Sequence, residues 1–322
     1  MIKPRVILIG AGKFGKNHVK TLAQLDKDGR CEFSGVVDKD SHILSEISKN
    51  YDIQTSTCIE DLMNNADAVV IATPASTHFN LTIDCLSNNK HVFVEKPVAL
   101  NYADALQMHQ KAISKSKILM VGNIFRHHVI IKSILKNLHD DGIGKIRILD
   151  GEFLNTADAR TDVGSLLNYI HHLDLFCYIM KISPTSISCQ NFFATNNNFE
   201  DYCTLTLTYP ENIVATIRVG WLGLRKSRNF TITGSKKTLF ADLVSNTVTY
   251  YSGSNKEGIS ENMEKFELNA KNLPLYLELD NFIDSIQNNT SPLSDSESSL
   301  LSIKLAEKAL ESAQSQKTIY LQ

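Results

Sequence analysis

Short, largely apolar runs recur through the first third of the chain, and helical patterns separate them. The runs cover residues 6–9, 32–37, 68–72, 91–94 and 118–121. Runs of this length suit strands that are buried on both faces of a parallel sheet. The segments between them predict helices at 14–25, 41–49, 77–87 and 102–114, with Ser41 as one N-cap. The repeated strand–helix order predicts a doubly wound, parallel α/β sheet.

The pattern changes after Gly122, where polar and apolar residues begin to alternate along longer strands. Such alternation marks residues 203–209 and 213–221, and it indicates an antiparallel sheet with one packed face. Further strands are predicted at 230–233, 238–241, 248–251 and 318–321, and helices at 165–180, 275–287 and 297–314. The sequence therefore predicts two domains, 1–122 and 123–322, and the C-terminal helix is free to pack back on the first.

Composition narrows the class of protein. The 322 residues and 36.0 kDa suit two domains, and 43% hydrophobic residues are enough for a large core. The formal net charge of −2 gives no general attraction to nucleic acid or to anionic membranes. No stretch approaches the length of a membrane span, and the six cysteines include no CxxC pair. We expect a soluble, cytoplasmic protein with reduced thiols.

A glycine loop follows the first predicted strand. Gly10, Gly12 and Gly15 form a GxGxxG pattern that opens the first helix. The first glycine permits a tight turn, the second lets the backbone approach a pyrophosphate, and the third lets helix and strand pack closely. Lys13 and Phe14 belong to the same loop, where the helix N-terminus offers amide donors to a phosphate. The loop predicts a dinucleotide site.

Asp38 follows the second strand, 23 residues after Gly15. This is the position of a carboxylate that binds the adenosine ribose hydroxyls. It would repel a 2′-phosphate, so the sequence favours NAD over NADP. The neighbouring Lys39 offers a cation to such a phosphate and leaves NADP as the less favoured alternative.

Two further motifs end predicted parallel strands, where ligands bind in open α/β sheets. Thr73-Pro74 ends the strand at 68–72, and His78 lies in the next helix. Glu95-Lys96-Pro97 ends the strand at 91–94, and Pro97 can fix a turn, including a cis one. We expect these residues near the dinucleotide.

With these motifs the sequence resembles the Gfo/Idh/MocA oxidoreductases over its whole length. Beyond the motifs above, the resemblance includes residues 164–174, with His171 and Asp174 in an HxxD pattern. It implies an NAD(P)-binding Rossmann domain at 1–122. It implies a substrate-binding and oligomerisation domain at 123–322, with a large, mostly antiparallel sheet. The family acts mainly on sugars and cyclitols, and a homodimer or homotetramer is expected.

The resemblance also implies the catalytic pair. Lys96 matches the family's lysine, and the family's histidine falls on His171 or His172, with His171 favoured. Asn168 stands where many members have an acid; it can hydrogen-bond a substrate hydroxyl but cannot act as a base at neutral pH. Arg126 is a further candidate for substrate or phosphate, with a structural salt bridge as the equal alternative.

The resemblance, together with these residues, implies hydride transfer between nicotinamide and a secondary alcohol or ketone of a sugar, nucleotide sugar or cyclitol. His171 would exchange the hydroxyl proton, and Lys96 would stabilise the developing alkoxide. Two alternatives stay open: an NAD-dependent glycosidase on the same fold, and a non-catalytic regulator that binds dinucleotide. The paired histidines at 127–128 and 171–172 lack the spacing of a metal site, so no metal is expected.

Overall fold

A computed structural model describes residues 3–140, 142–156, 160, 162–195, 198–254, 258–269 and 271–321. Contacts divide the chain into two compact units. The first contains Met1–His127 and Ala270–Leu300, and the second contains His128–Asn269 and Leu301–Gln322. The predicted division at residues 122 and 123 differs from this one, because the segment 270–300 groups with the first unit.

The first unit alternates strands and helices as the apolar pattern predicts. Its strands are β1 (Arg5–Ile9), β2 (Glu32–Val37), β3 (Gln54–Ser56), β4 (Ala68–Ile71), β5 (His91–Glu95) and β6 (Leu119–Gly122). Its helices are α1 (Gly15–Lys27), α2 (Ser41–Asn50), α3 (Glu60–Met63), α4 (His78–Ser87), α5 (Tyr102–Ser114) and α9 (Pro274–Asn288). The N-cap of α2 is Asp40 rather than the predicted Ser41, because the Asp40 carboxylate accepts a hydrogen bond from the His42 amide at 2.8 Å.

The six strands form one parallel sheet in the order β3-β2-β1-β4-β5-β6. The predicted doubly wound sheet is therefore confirmed. Strand order reverses between β1 and β4, and the carboxyl ends on either side of such a switch point leave a crevice for ligands. Gly10 follows β1 at this edge, and Thr73 follows shortly after β4.

Helix α9 joins the core of the first unit although it is far away in sequence. Its buried residues Leu279, Phe282 and Ile283 pack into the same apolar cluster as Leu22 of α1. Phe282 also meets Phe93 of β5 edge to face, with ring centroids 5.9 Å apart. Burial of this apolar stripe explains why the segment belongs to the first unit.

The second unit is built on a nine-stranded sheet. Its strands are β7 (Ile146–Thr156), β8 (Ser186–Phe192), β9 (Tyr202–Thr208), β10 (Val214–Gly220), β11 (Leu222–Gly234), β12 (Thr238–Asp242), β13 (Thr247–Ser254), β14 (Gly258–Lys265) and β15 (Ile319–Tyr320). The order is β14-β13-β12-β11-β7-β10-β9-β8-β15. Every pairing is antiparallel except that of β10 with β7, so the predicted sheet type is confirmed.

The helices of this unit are α6 (Val129–His139), α7 (Ser165–Asn168) and α8 (His171–Met180), while α10 (Ser296–Ser315) spans the boundary at residue 300. The prediction of one helix over 165–180 was wrong, because Tyr169 leaves helical geometry at φ −112° and ψ 36°. Along β9 the predicted alternation holds, with Cys203, Leu205 and Leu207 fully buried. Among the described residues, no helix is long and apolar enough to span a membrane.

Candidate active site

The glycine loop closes tightly on the end of β1. Gly10 has φ +93°, and a Cβ there would lie 2.8 Å from the backbone of Ala72. A Cβ at Gly15 would overlap the Gly10 carbonyl. At Gly12, by contrast, an added Cβ would meet nothing within 4 Å. Protein packing therefore requires Gly10 and Gly15, whereas the surface at Gly12 stays open to a ligand that approaches the backbone.

Asp38 connects this loop to the end of β2. Its Oδ2 accepts a hydrogen bond from the Ala11 amide at 2.6 Å, and its Oδ1 accepts one from the Asp40 amide at 2.9 Å. Each carboxylate oxygen keeps a further lone pair for a ribose hydroxyl. Lys39 is exposed beside it. The open surface at Gly12 and this half-buried carboxylate together fit the pyrophosphate and ribose of NAD.

His78 ties together the two motifs that end β4 and β5. Its Nδ1 lies 2.8 Å from the Pro97 carbonyl oxygen, and its Nε2 lies 3.0 Å from that of Thr73. Burial lowers the pKa of His78, and the two carbonyls partly offset this effect. Because both ring nitrogens contact protein groups, His78 positions the Thr73-Pro74 turn rather than presenting a nitrogen to a ligand.

Glu95 and Lys96 lie at the carboxyl end of β5. Glu95 is buried, and its Oε1 lies 2.8 Å from His18 Nε2, while its Oε2 accepts a hydrogen bond from the Lys96 amide at 3.2 Å. The Lys96–Pro97 peptide bond is cis. Glu95 thus holds the backbone at Lys96, whose side chain is half-buried. Sequence reasoning missed His18, although it lies three residues after Gly15, on the buried face of α1.

Arg126 was predicted to contact substrate or phosphate, or to form a salt bridge. It is buried and donates hydrogen bonds to Ser298 Oγ at 2.6 Å, to the Ser298 carbonyl at 3.1 Å and to the Leu293 carbonyl at 3.3 Å. These bonds fasten the chain after β6 to the first turn of α10 and to the segment before it. Among the described residues, no three or more His, Cys, Asp or Glu side chains are grouped as a metal site would require.

In the second unit, His171 begins α8. Its side chain is nearly buried, and its ring stacks on Phe153 of β7 with centroids 5.2 Å apart. Tyr169 stacks on the same phenylalanine at 4.6 Å. The non-helical geometry at Tyr169 thus coincides with an aromatic stack beside the histidine.

His172 occupies a different environment. It is fully buried, and its Nε2 lies 2.9 Å from the Asn229 carbonyl oxygen. Its ring meets Phe153, Phe176 and Phe230 edge to face. Burial lowers the pKa of His172 to about 4, so this imidazole is neutral at neutral pH.

Asn168 is the last residue of α7, and its side chain belongs to a small hydrogen-bonded cluster of polar residues. Its Oδ1 accepts a hydrogen bond from Arg160 Nη1 at 3.2 Å, and Arg160 pairs with both carboxylate oxygens of Asp162. At the start of α7, the Leu166 amide donates to Glu200 Oε1 at 2.8 Å. Burial raises the pKa of Glu200. This carboxyl group fixes the start of the segment that leads to His171.

The sequence analysis also missed a cation near His171. The Arg228 guanidinium lies over the Phe153 ring, with its central carbon 4.9 Å from the ring centroid. No strand was predicted at Phe153, and Arg228 lies just before the strand predicted at 230–233. No local signal marked either residue, because their juxtaposition depends on the pairing of β7 with β11.

Two family models match most of this chain. Residues 4–123 match the Gfo/Idh/MocA oxidoreductase family's NAD-binding Rossmann fold, and residues 152–321 match that family's C-terminal alpha/beta domain. The chain belongs to the Gfo/Idh/MocA oxidoreductase family. Its first unit therefore contains an NAD-binding Rossmann domain.

Relatives of this family member cover almost its whole length. A UDP-N-acetylglucosamine 3-dehydrogenase from Acidithiobacillus ferrooxidans is 25% identical and aligns with 89% of this chain and 90% of its own. A myo-inositol 2-dehydrogenase from Thermotoga maritima is 24% identical, over 99% and 98% of the two chains. An Agrobacterium radiobacter oxidoreductase solved with NAD+, L-tartaric acid and magnesium has a TM-score of 0.86 at 18% identity, covering 99% of this chain and 98% of its own. That last likeness concerns the fold.

Proposed function

We propose that this Gfo/Idh/MocA oxidoreductase transfers a hydride between NAD and a secondary alcohol or ketone of a sugar, nucleotide sugar or cyclitol. The observation that carries the proposal is the position of Lys96. It lies at the carboxyl end of β5, at the same edge of the parallel sheet as the glycine loop after β1. An ammonium at the edge where the nicotinamide cofactor binds suits the stabilisation of a developing alkoxide.

NAD, when bound, supplies the redox chemistry by accepting or donating the hydride. In the direction of oxidation, Lys96 donates a hydrogen bond to the substrate oxygen and stabilises its negative charge. His171 takes the hydroxyl proton on an imidazole nitrogen, since a histidine exchanges protons near neutral pH. Stacking on Phe153 holds the imidazole in one orientation. In the direction of reduction, the same groups return the proton.

The environments of the two adjacent histidines support His171 as the proton carrier. His172 points both its ring and its Nε2 into protein, and burial lowers the pKa of His172 to about 4. An imidazole with that pKa is a weak base at pH 7. The names of the A. ferrooxidans and T. maritima relatives support a sugar or cyclitol substrate.

A cofactor-reduction screen tests this proposal. The purified protein is mixed with NAD and with individual sugars, nucleotide sugars and inositols, and the absorbance of NADH is followed. We expect stoichiometric NADH formation with at least one of these compounds. Bond cleavage without net NADH would instead indicate an NAD-dependent glycosidase. Binding of NAD without conversion of any compound in either direction would favour the regulator.

A further inference from the structure

The face of the nine-stranded sheet on which His171 packs also carries an arginine. Arg228 of β11 lies directly opposite Phe153 of β7 in the strand register. Opposite residues in an antiparallel pair project from the same face of the sheet. The guanidinium carbon is 4.9 Å from the Phe153 ring centroid, and the His171 ring is 5.2 Å from it. One aromatic ring thus contacts both the candidate proton carrier and a permanent cation.

Within the described part of the chain, this cation lacks a compensating anion. Arg228 is half-buried, its Nε is buried, and that atom has no hydrogen-bond partner there. Burial lowers the pKa of Arg228, and the interaction with Tyr169 partly offsets this effect. The positive charge of Arg228 is in turn the main cause that lowers the pKa of the exposed Lys226, and burial lowers it further. Two neighbouring cations therefore repel each other, and no carboxylate of the described residues pairs with Arg228.

Another arginine of the same sheet, in contrast, is paired with carboxylates. Arg218 of β10 pairs with Glu152 at 3.1 Å and approaches Asp150 at 3.8 Å. The cation–π contact of Arg228 with Phe153 uses none of the guanidinium N–H donors. It orients the guanidinium plane and leaves the terminal Nη donors to a planar, bidentate acceptor.

We propose that Arg228 and Lys226 bind an anionic group of the substrate, a phosphate or a carboxylate, beside His171. The assignment of this anion as substrate rests on the proposed function. Such an anion site favours nucleoside diphosphate sugars, sugar phosphates or uronic acids as substrates over neutral sugars and inositols. Arg228 is then a specificity-determining residue, because a neutral substrate leaves its half-buried charge unpaired.

Binding measured without turnover tests the proposal. The protein is first saturated with NAD, so that the phosphate-binding glycine loop is filled. UDP, D-glucuronate and D-glucose are then titrated separately by calorimetry. We expect one of the two anions to bind at least tenfold more tightly than glucose. Tight binding of UDP identifies a phosphate, and tight binding of glucuronate identifies a carboxylate.

Charge-removing variants assign the anion to its residues. Arg228→Gln is expected to weaken binding of the preferred anion by about 10- to 100-fold, the loss of a hydrogen bond to a charged group. Arg228→Lys should retain more of the affinity, and Lys226→Gln should lose part of it. Arg147→Gln is the matched control, because it removes an exposed arginine from β7. NAD affinity and the melting temperature establish that each variant is folded; Lys226→Gln, at an exposed position, carries the test if Arg228→Gln is unstable.

The proposal is overturned if neither anion binds more tightly than glucose, or if Arg228→Gln and Lys226→Gln lose no more affinity than Arg147→Gln. Failure of the anion-site proposal is distinguishable from failure of the proposed dehydrogenase function. If the protein binds the anion through Arg228 but never reduces NAD, the anion site is supported and the proposed dehydrogenase reaction is refuted. If the protein oxidises a neutral sugar and binds neither anion, the dehydrogenase reaction is supported and the anion site is refuted.

Discussion

At the residue scale, His171 and His172 are adjacent on a helix, and both rings contact Phe153, but their further surroundings differ. Successive residues on a helix point about 100° apart. His171 stacks on Phe153 at the start of α8, whereas His172 lies among three phenylalanine rings. The chemistry proposed for His171 and the packing role of His172 are therefore separable by mutation.

Lys96→Ala and His171→Ala test the proposed chemistry. Each should lower kcat by about 10²–10⁴, the usual contribution of one acid–base or electrostatic group. NAD affinity should stay near that of the wild type, because the pyrophosphate site lies on the glycine loop. Steady-state kinetics and an NAD titration check both expectations. His171→Ala should also remove any pH dependence of kcat that arises from the imidazole.

His172→Ala is the contrasting variant. It should lower the free energy of unfolding by about 2–4 kcal/mol, because it leaves a cavity among the rings and frees the Asn229 carbonyl. At a temperature where it stays folded, its kcat should fall far less than that of His171→Ala. A larger kinetic loss in His172→Ala would assign the proton transfer to His172 instead.

Asp38 tests the preference for NAD. Asp38→Ala removes both the carboxylate and its hydrogen bond from the Ala11 amide. NAD affinity should fall about tenfold or more, and the ratio of NADP to NAD affinity should rise, since the repulsion of a 2′-phosphate is lost. Asp40→Ala is the control: it removes a carboxylate that caps α2, so it should cost about 1 kcal/mol of stability and leave the preference unchanged. An unchanged ratio in Asp38→Ala would mean that Lys39 or another group sets the preference.

At the scale of secondary-structure elements, the turn from β1 to α1 separates glycines needed for folding from one needed for binding. Gly12→Ala should leave the melting temperature within about 2 °C of the wild type, because the added methyl group meets no protein atom. It should weaken NAD binding by about tenfold or more, since the methyl group occupies the space where a pyrophosphate approaches. Thermal unfolding and a fluorescence titration with NADH measure the two effects.

Gly10→Ala provides the opposite result from the same loop. Its positive φ and the Ala72 backbone at 2.8 Å leave no room for a methyl group, so the melting temperature should drop. If Gly12→Ala melted as low as Gly10→Ala, the second glycine would be structural. If Gly12→Ala bound NAD as the wild type does, the pyrophosphate would not lie against this residue.

At the scale of the whole molecule, four buried or half-buried histidines make the free energy of unfolding depend on pH below neutrality. Burial lowers the pKa of His127 to about 3, and those of His91, His128 and His172 to about 4. The unfolded chain, with a histidine pKa near 6.5, then binds more protons than the folded one. Stability is therefore full above about pH 6.5 and is lost as the pH falls towards 4.

His91 gives this effect a specific test. Its Nδ1 accepts a hydrogen bond from the Ile118 amide at 3.1 Å, and protonation would remove that acceptor. His91→Asn keeps an acceptor that does not titrate, so the melting temperature should fall less between pH 7 and pH 5 than in the wild type. His139→Asn changes a histidine whose side chain is 90% exposed and should keep the wild-type slope. Equal slopes in all three proteins would contradict the assignment.

Assembly is a second property at this scale. We propose that the protein is a homodimer or homotetramer formed through the nine-stranded sheet, whose alternating strands leave one face less apolar. Light scattering at micromolar concentration should give a multiple of 36.0 kDa. A mass equal to one chain would refute the proposal.

The sequence by itself determined the features whose signals are local. Apolar runs specified β1, β2, β4 and β5, because a strand buried on both faces needs continuous hydrophobic residues. The spacing of Gly10, Gly12 and Gly15 specified a dinucleotide loop, since Gly10 and Gly15 avoid local steric clashes and Gly12 leaves the backbone open to a phosphate. Two-residue alternation likewise specified β9 and β10, because it reflects the pleat of a single strand.

Only the tertiary structure decided the features that depend on contacts between distant segments. The pattern predicts no element between residues 122 and 164, yet α6 and β7 lie there, and β7 pairs with both β10 and β11. The His18–Glu95 contact joins residues 77 positions apart, and Arg228 meets Phe153 only through strand pairing. A residue's polarity indicates whether it will be buried, but its partner depends on which elements pack together. The packing therefore decides which of two adjacent histidines is buried as a neutral ring and which aromatic ring the Arg228 guanidinium contacts.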